Sequence, residues 1–149
     1  MSQGGSEQES RVGYVVKRLQ QVLRVSMDTA LAEHDLSMAQ FAVLKSLQHG
    51  PLAAAELARR SFTTRQSMQD VLSCLDARGF IEKAAPQPKG GRSQPVTLTN
   101  HGRRVADEAD HAVRAVESRM TRGLTPPQQD QLQAWLTTCA DNLQHANPR

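Results

Sequence analysis

Polar side chains that can pair with the edges of DNA bases follow one another in one short stretch of the sequence. The stretch is interrupted only by Met68 and consists of Thr63, Thr64, Arg65, Gln66, Ser67, Gln69 and Asp70. In the major groove, arginine pairs with guanine and glutamine with adenine, each through two hydrogen bonds. Arg65, Gln66 and Gln69 are therefore candidates for reading bases. Thr63 and Thr64 have a second interpretation, because either could cap a helix that begins here, and Thr63-x-x-Gln66 has capping-box spacing.

The segments around this stretch have the order of a helix-turn-helix. A short helix is predicted over Ala54–Arg60, followed by a turn at Ser61–Thr63. The longer helix that follows carries apolar residues at helical spacing, namely Met68, Val71, Leu72 and Leu75. Gly79 then stands where a helix end favours a left-handed residue, so we expect this helix to stop at Arg78–Gly79.

A β-hairpin is predicted directly after the second helix. Residues 80–84 alternate as in a strand, and Pro95–Leu98 supplies the returning strand. The tip between them, Pro86–Ser93, is too rich in Pro and Gly to pair. Its candidate DNA contacts, to phosphates or the minor groove, are Lys89, Arg92 and Ser93, with a plain mobile loop as the alternative. The helices and the hairpin together predict a winged helix-turn-helix over residues 36–99.

Helical patterns flank this predicted reader domain on both sides. One amphipathic helix runs from Val12 to near Glu33, and Ser37-x-x-Gln40 forms a capping box for the next. After the wing, Thr99 starts a long helix with a predicted apolar stripe of Val105, Ala109, Ala112, Val116 and Met120. Thr125-Pro126-Pro127-Gln128 is a strong signal for the start of the last helix. The predicted fold class is mainly α with a small β-hairpin wing (α+β).

The terminal helices are interpreted as dimerisation helices. Residues 11–35 and 100–146 carry apolar stripes that need partners, whereas residues 1–10 are polar and predicted to form a flexible tail. In so small a winged helix, these stripes can be buried only against each other and a second copy, which favours a two-fold homodimer. Two recognition helices would then lie about one DNA turn apart, on roughly palindromic half-sites of operator DNA.

The charge of the chain is unevenly distributed. Residues 59–104 contain nine Lys/Arg and three Asp/Glu, whereas the remainder contains nine and twelve. A basic block on the helix-turn-helix and wing is the electrostatic pattern expected for DNA binding. No apolar run reaches the roughly 18 residues of a membrane span, and the polar start is no signal peptide, so a cytoplasmic location and no membrane partner are expected.

At these residues the chain resembles the MarR family (multiple antibiotic resistance regulators). Leu36–Leu44 is similar to the family's entry into the second helix. Glu56–Ala58 and Leu75–Glu82 match the helix-turn-helix, and Leu98–Arg103 is similar to the Leu-Thr-x-x-Gly signature after the wing. One departure is the wing sequence Gly90-Gly91-Arg92, which keeps the arginine of the family's Asp-x-Arg but lacks the aspartate.

The resemblance implies a homodimeric repressor whose operator affinity falls when a small aromatic or lipophilic effector binds. Effectors in the family tend to sit between the dimer helices and the reader domain. In this sequence such a site would involve Arg18, His34, Met38 and Phe41.

Other functions have weaker support in the sequence. Asp107 and His111 share a helix face, but the sequence has no Cys/His cluster at zinc spacing, so we expect no metal site. Redox sensing through Cys74 is an alternative, although Asp70 and Arg78, one turn away on either side, give the thiol no clear activation. Another alternative is a winged-helix protein–protein adaptor, in which the recognition helix contacts a protein. The basic block argues against this interpretation. No catalytic motif or cofactor-binding loop is present, which argues against an enzyme and predicts no cofactor.

Overall fold

A computed structural model describes residues 7, 9, 11–84 and 94–146. The chain divides into two compact units, residues 1–116 and 117–149. In chain order the elements are α1 (Val12–Ala32), α2 (Met38–Leu47), β1 (Leu52–Ala53), α3 (Ala54–Arg60), α4 (Arg65–Ala77), β2 (Ile81–Lys83), β3 (Pro95–Leu98), α5 (Asn100–Met120) and α6 (Pro126–Ala146). The predicted mainly helical fold with a small antiparallel sheet is confirmed. The predicted tail over residues 1–10 lies outside the described residues except for positions 7 and 9.

The core of the first unit is built from the apolar faces of α1 to α5 and of the sheet. Its fully buried members include Leu31, Leu44, Leu57, Leu72 and Leu75. Helix α5 contributes mainly small residues to this core. Of its predicted stripe, Ala109 and Val116 are buried and Met120 is exposed, and the buried face is completed by Gly102, Ala106 and Val113.

Local hydrogen bonds fix the helix ends near the predicted residues. The capping box of α2 is complete, because the Gln40 amide N–H donates to the Ser37 hydroxyl and the Ser37 amide N–H donates to the Gln40 side-chain oxygen. At the end of α4, Gly79 has a φ of 75° and its N–H donates to the Asp76 carbonyl, while the Phe80 N–H donates to the Leu75 carbonyl. This pair of bonds is the Schellman motif, which places a left-handed residue just after the helix.

The sheet contains the predicted hairpin and one strand that sequence reasoning missed. Strands β2 and β3 pair antiparallel, with Ile81 opposite Leu98. Strand β1 lies on the other side of β3, with Leu52 opposite Val96, so the strand order is β1-β3-β2. Strand β1 thereby joins the segment before α3 to the base of the hairpin.

The start of α5 is fastened to the end of α4 through a few backbone contacts. The Thr99 hydroxyl donates to the Gly79 carbonyl over 2.7 Å and accepts from the Gly102 N–H over 3.0 Å. The Thr99 N–H donates to the Phe80 carbonyl. A Cβ atom on Gly102 would lie 2.0 Å from that same carbonyl oxygen. The glycine of the Leu-Thr-x-x-Gly segment is therefore required by this close approach.

A second link joins α5 to α2 through charged and polar side chains. Asp110 lies 3.4 Å from the Lys45 ammonium and 2.8 Å from the Arg114 guanidinium. Burial raises the pKa of the Asp110 carboxyl, but the hydrogen bond from Arg114 and the charge of Lys45 outweigh it, and the net pKa is lowered. Gln48 also donates to Asp107 over 2.8 Å. These contacts hold α5 against α2.

The second unit contains α6 and its predicted start signal. The Thr125 N–H donates to the Gln128 side-chain oxygen, and the Gln128 N–H donates to the Thr125 hydroxyl, which confirms the capping box. No residue of Pro126–Ala146, all of which is described, is buried, and Trp135 and Leu143 are 62% and 69% exposed. Among the described residues, no helix is both long and apolar enough to cross a membrane.

We expect Gly102→Ala to destabilise the protein by about 1–3 kcal/mol, because the added methyl group overlaps the Phe80 carbonyl and forces the backbone apart. Gly13→Ala is the matched control near the start of another helix, where a Cβ meets nothing within 4 Å. The control should be neutral or slightly stabilising. Urea unfolding of both variants measures the difference, and equal stabilities would contradict the close approach.

Candidate nucleic-acid interface

Helix α4 has one buried face and one exposed face. Met68, Leu72 and Leu75 point into the core, and Val71 is half-buried beside them. Six of the seven DNA contacts predicted for this helix and its start are exposed, and the seventh, Thr63, is half-buried; the exposed ones are Thr64, Arg65, Gln66, Ser67, Gln69 and Asp70. The helix thus presents a continuous polar surface that begins at its N-terminal end.

The N-terminal cap of α4 is Thr64. Its hydroxyl accepts a hydrogen bond from the Ser67 N–H over 3.1 Å and donates to the Ser67 hydroxyl over 3.0 Å. Thr63 precedes the cap, is half-buried, and donates its own N–H to the Ala58 carbonyl. Of the two capping alternatives left open by the sequence, the structure therefore selects Thr64. Arg65 is the first residue of the helix.

The turn before α4 holds a residue that sequence reasoning did not single out. Helix α3 ends in a Schellman motif, in which the Phe62 N–H donates to the Arg59 carbonyl and the Thr63 N–H donates to the Ala58 carbonyl. Phe62 is the left-handed residue of this motif, with a φ of 52°, and its side chain is 83% exposed. A left-handed conformation costs a residue with a Cβ atom about 1–2 kcal/mol. Its only signal in the sequence is an aromatic residue in a polar turn.

Two arginines lie in the last turn of α3, shortly before α4 in the chain. Arg59 and Arg60 both pair with Glu56 on the same helix, Arg60 at 2.8 Å. The hydrogen bond from Arg60 lowers the pKa of the Glu56 carboxyl, with the charge of Arg59 acting in the same direction. Both guanidinium groups remain largely exposed, so they are positioned by the carboxylate yet accessible to a phosphate. They belong to the basic block but were not among the predicted contacts.

The predicted wing contacts cannot be located in the same way. Lys89, Arg92 and Ser93 lie outside the described residues, which stop at Ala84 and resume at Gln94. The two strands that carry the tip are described, and the Ala84 N–H donates to the Pro95 carbonyl at its base.

The four predicted effector residues are spread over α1, the following loop and α2. Phe41 is buried, His34 is half-buried, and Arg18 and Met38 are exposed. His34 and Met38 lie close together in sequence at the start of α2. Arg18 lies fourteen residues before the end of α1 at Ala32, which corresponds to about 21 Å along the helix axis. Within one chain, Arg18 therefore lies far from His34, which follows the end of α1.

The loop that carries His34 is hydrogen-bonded to the far end of α4. The Arg78 guanidinium donates to the Asp35 carbonyl over 2.6 Å and lies 4.6 Å from the centre of the Phe80 ring. Asp35 itself is left-handed, with a φ of 53°. A second contact is made by the Gln40 side-chain amide, which donates to the Cys74 sulfur over 3.3 Å. The loop after α1 and the start of α2 are therefore both in direct contact with the C-terminal half of α4.

The two cysteines and the Asp107–His111 pair belong to the sensing alternatives that the sequence left open. Cys74 and Cys139 are free and exposed thiols. Over the described part of the chain, no group of three or more His, Cys, Asp or Glu side chains converges as a metal site would require. Asp107, half of the weighed metal pair, accepts a hydrogen bond from Gln48.

Fold and surface together define a winged helix-turn-helix of the kind that reads DNA. The comparison with protein families gives the particular class: residues 34–93 match the model of the MarR family. The HTH-type transcriptional repressor Rv2887 of Mycobacterium tuberculosis is 37% identical over 133 residues, which cover 89% of this chain and 95% of that protein. The chain belongs to the MarR family, whose members are transcription regulators and not a class of enzymes.

Solved structures of similar proteins include complexes with DNA and with small aromatic acids. Rv2887 in complex with DNA superposes with a TM-score of 0.71 at 34% identity, covering 87% of this chain and 98% of that chain. Rv2887 in complex with salicylic acid gives a TM-score of 0.69 at 37% identity, with 87% and 96% covered. The transcriptional repressor CouR bound to a 23-mer DNA duplex gives a TM-score of 0.81 at 29% identity, with 94% and 98% covered.

Replacing the cap threonine tests the assignment of the α4 start. Thr64→Ala should lower the free energy of unfolding by about 0.5–2 kcal/mol, because the Ser67 N–H loses its acceptor. Thr64→Ser should keep most of the stability, and Thr63→Ala is the control that removes no cap bond. Urea unfolding is the measurement, and a larger loss at Thr63 than at Thr64 would be inconsistent with the assigned cap.

Proposed function

We propose that this protein is a ligand-responsive transcriptional repressor that binds operator DNA as a homodimer. The observation that carries the proposal is the exposed polar face of α4, which is held outward by a buried face and capped at its start by Thr64. A helix of this kind enters the major groove with its N-terminal residues against base edges. The DNA complexes of the similar proteins Rv2887 and CouR support the same function here.

Reading and positioning are assigned to different side chains. Arg65, Gln66 and Gln69 lie on the exposed face of α4 and have the donors and acceptors to pair with guanine or adenine. Thr64, Ser67 and Asp70 complete this contact surface. The exposed guanidinium groups of Arg59 and Arg60 are assigned to phosphates, since the first helix of the motif crosses the backbone. Lys89, Arg92 and Ser93 are retained as wing contacts on the basis of the sequence alone.

A second copy of the chain is expected to cover the exposed apolar residues of the terminal helices. Val12, Val22 and Val25 of α1 are exposed, as are Trp135 and Leu143 of α6. Such apolar surface is costly to leave in water, and the segments 11–35 and 100–146 are proposed as the dimerisation helices. The dimer would place one reader domain, residues 36–99, on each half-site of a palindromic operator in the cytoplasm.

A small aromatic acid is the effector that the relatives support. Rv2887 forms complexes with salicylic acid and p-aminosalicylic acid. In this chain Arg18 would supply a guanidinium for the carboxylate, and His34, Met38 and Phe41 would supply the surface for the ring. Arg18 is distant from His34 along α1. We therefore expect each site to be completed by the Arg18 side chain of the second copy in the dimer. The contact from Arg78 to Asp35 would then carry the displacement to α4.

Arg65→Ala tests the DNA-binding part of the proposal on a duplex selected by the wild-type protein from a random-sequence library. The loss of a bidentate base contact should weaken binding by about 1–3 kcal/mol and should be concentrated at one base pair per half-site. Arg122→Ala, which removes the same charge from the exposed turn after α5, is the control. An Arg65→Ala protein that keeps the full preference for the selected over random duplex would exclude Arg65 as a reader.

Salicylate tests the effector part of the proposal. Millimolar sodium salicylate should weaken binding of the wild-type protein to the selected duplex, whereas sodium chloride at the same ionic strength should not. Arg18→Gln should remove most of this response, because the carboxylate loses its charged partner. Arg24→Gln removes an exposed arginine from the same helix and should keep the response. An equal response in both variants would rule out Arg18 as the carboxylate ligand.

A further inference from the structure

Phe62 combines a strained backbone with an exposed aromatic ring. Two other helices of the first unit end in the same hydrogen-bonded motif, with Asp35 after α1 and Gly79 after α4 at the left-handed position. Glycine takes this conformation without a steric penalty, and aspartate tolerates it through its short polar side chain. Phe62 has neither property, and its ring is 83% exposed, so burial offsets little of the strain. Folding alone does not account for a phenylalanine here.

Phe62 lies in the chain between the two parts of the proposed DNA surface. Phe62 comes two residues after Arg60 and three before Arg65, so its Cα atom is within about 11 Å of the first base-reading residue along the chain. The neighbouring side chains on both sides are charged or polar and suited to phosphates and base edges. An apolar ring at this position needs an apolar feature of the DNA as its partner.

The major groove presents one such feature at the level of the bases. The C5-methyl group of thymine is the apolar mark by which an A·T pair is recognised there, and phenylalanine is among the side chains that contact it. The fixed hydrogen bonds of the turn hold the backbone of Phe62 before the DNA arrives, so little conformational freedom is lost on binding.

We propose that Phe62 contacts the C5-methyl group of one thymine in each operator half-site and thereby adds to the specificity of the reading helix. The contact rests on the proposed function, because it requires α4 to lie in the major groove. The contact predicts that a thymine lies beside the base pair read by Arg65 in each operator half-site.

Replacing thymine by uracil tests the contact, because uracil lacks only the methyl group. The probe is the duplex selected by the wild-type protein from a random-sequence library, with each thymine exchanged for uracil in turn, symmetrically in both half-sites. Wild-type protein, Phe62→Gly and Phe62→Leu are titrated against every duplex. Phe62→Gly removes the ring together with the backbone strain, and Phe62→Leu keeps an apolar side chain.

One thymine position should lower wild-type affinity by about four-fold per half-site when its methyl group is removed, as expected for one methyl group returned to water. Phe62→Gly should bind the thymine and uracil duplexes equally, and Phe62→Leu should retain part of the difference. The midpoint of thermal unfolding of Phe62→Gly should meanwhile rise by about 2–4 °C, because the left-handed strain is relieved. If Phe62→Gly binds DNA more weakly although it is more stable than the wild-type protein, the loss of affinity cannot be due to impaired folding.

Two results would overturn the contact while leaving the repressor function intact. In the first, wild-type protein selects a duplex, but at every thymine position the exchange for uracil changes the affinity of wild-type protein and of Phe62→Gly by the same factor. In the second, Phe62→Gly weakens binding to thymine and uracil duplexes by the same factor, which would place the ring against the sugar–phosphate backbone. If the wild-type protein selects no sequence from the library, the proposed function itself fails.

Discussion

Burial of one face of α4 is the interaction on which the proposed DNA surface depends. A helix of 13 residues is only marginally stable in water on its own, so its order comes from its surroundings. Met68, Leu72 and Leu75 fix its rotation, and the Thr64 cap and the Gly79 turn fix its ends. With rotation and ends set, the opposite face has one orientation, and its polar side chains are presented to DNA without further ordering of the backbone.

The C-terminal end of the same helix connects the reading surface to the rest of the first unit. Arg78 holds the Asp35 carbonyl, and the Phe80 carbonyl is held by Thr99 at the start of α5. At Gly102 the start of α5 packs directly against the Phe80 backbone. A ligand that binds beside His34 would therefore act on a helix that is already attached to its loop, which is the physical basis for the proposed response to an effector.

Sequence reasoning succeeded where the signal is local and failed where it depends on a distant partner. The Ser37 capping box, the helix start at Thr125 and the Gly79 helix end each depend on a few neighbouring residues and were predicted correctly. Of the two caps considered for α4, only Thr64 is used. Strand β1 was missed, because a two-residue strand is defined only by its pairing with residues 95 and 96. The α5 stripe was partly wrong, since Met120 is exposed and Gly102, which lies against the Phe80 backbone, is on the buried face instead. The role of Phe62 depends on its φ value, which residue type does not reveal.

Amide hydrogen exchange of the first turn of α4 tests the central claim most directly. The N–H groups of Arg65 and Gln66 lie in the first turn of α4 and have no acceptor within the helix, so they should exchange rapidly in the free protein. Adding the selected duplex should slow exchange in the peptide covering residues 61–70 and leave the peptide covering residues 38–47 of α2 unchanged. Unaltered exchange at residues 61–70 in a saturated complex would contradict the assignment of this face to DNA.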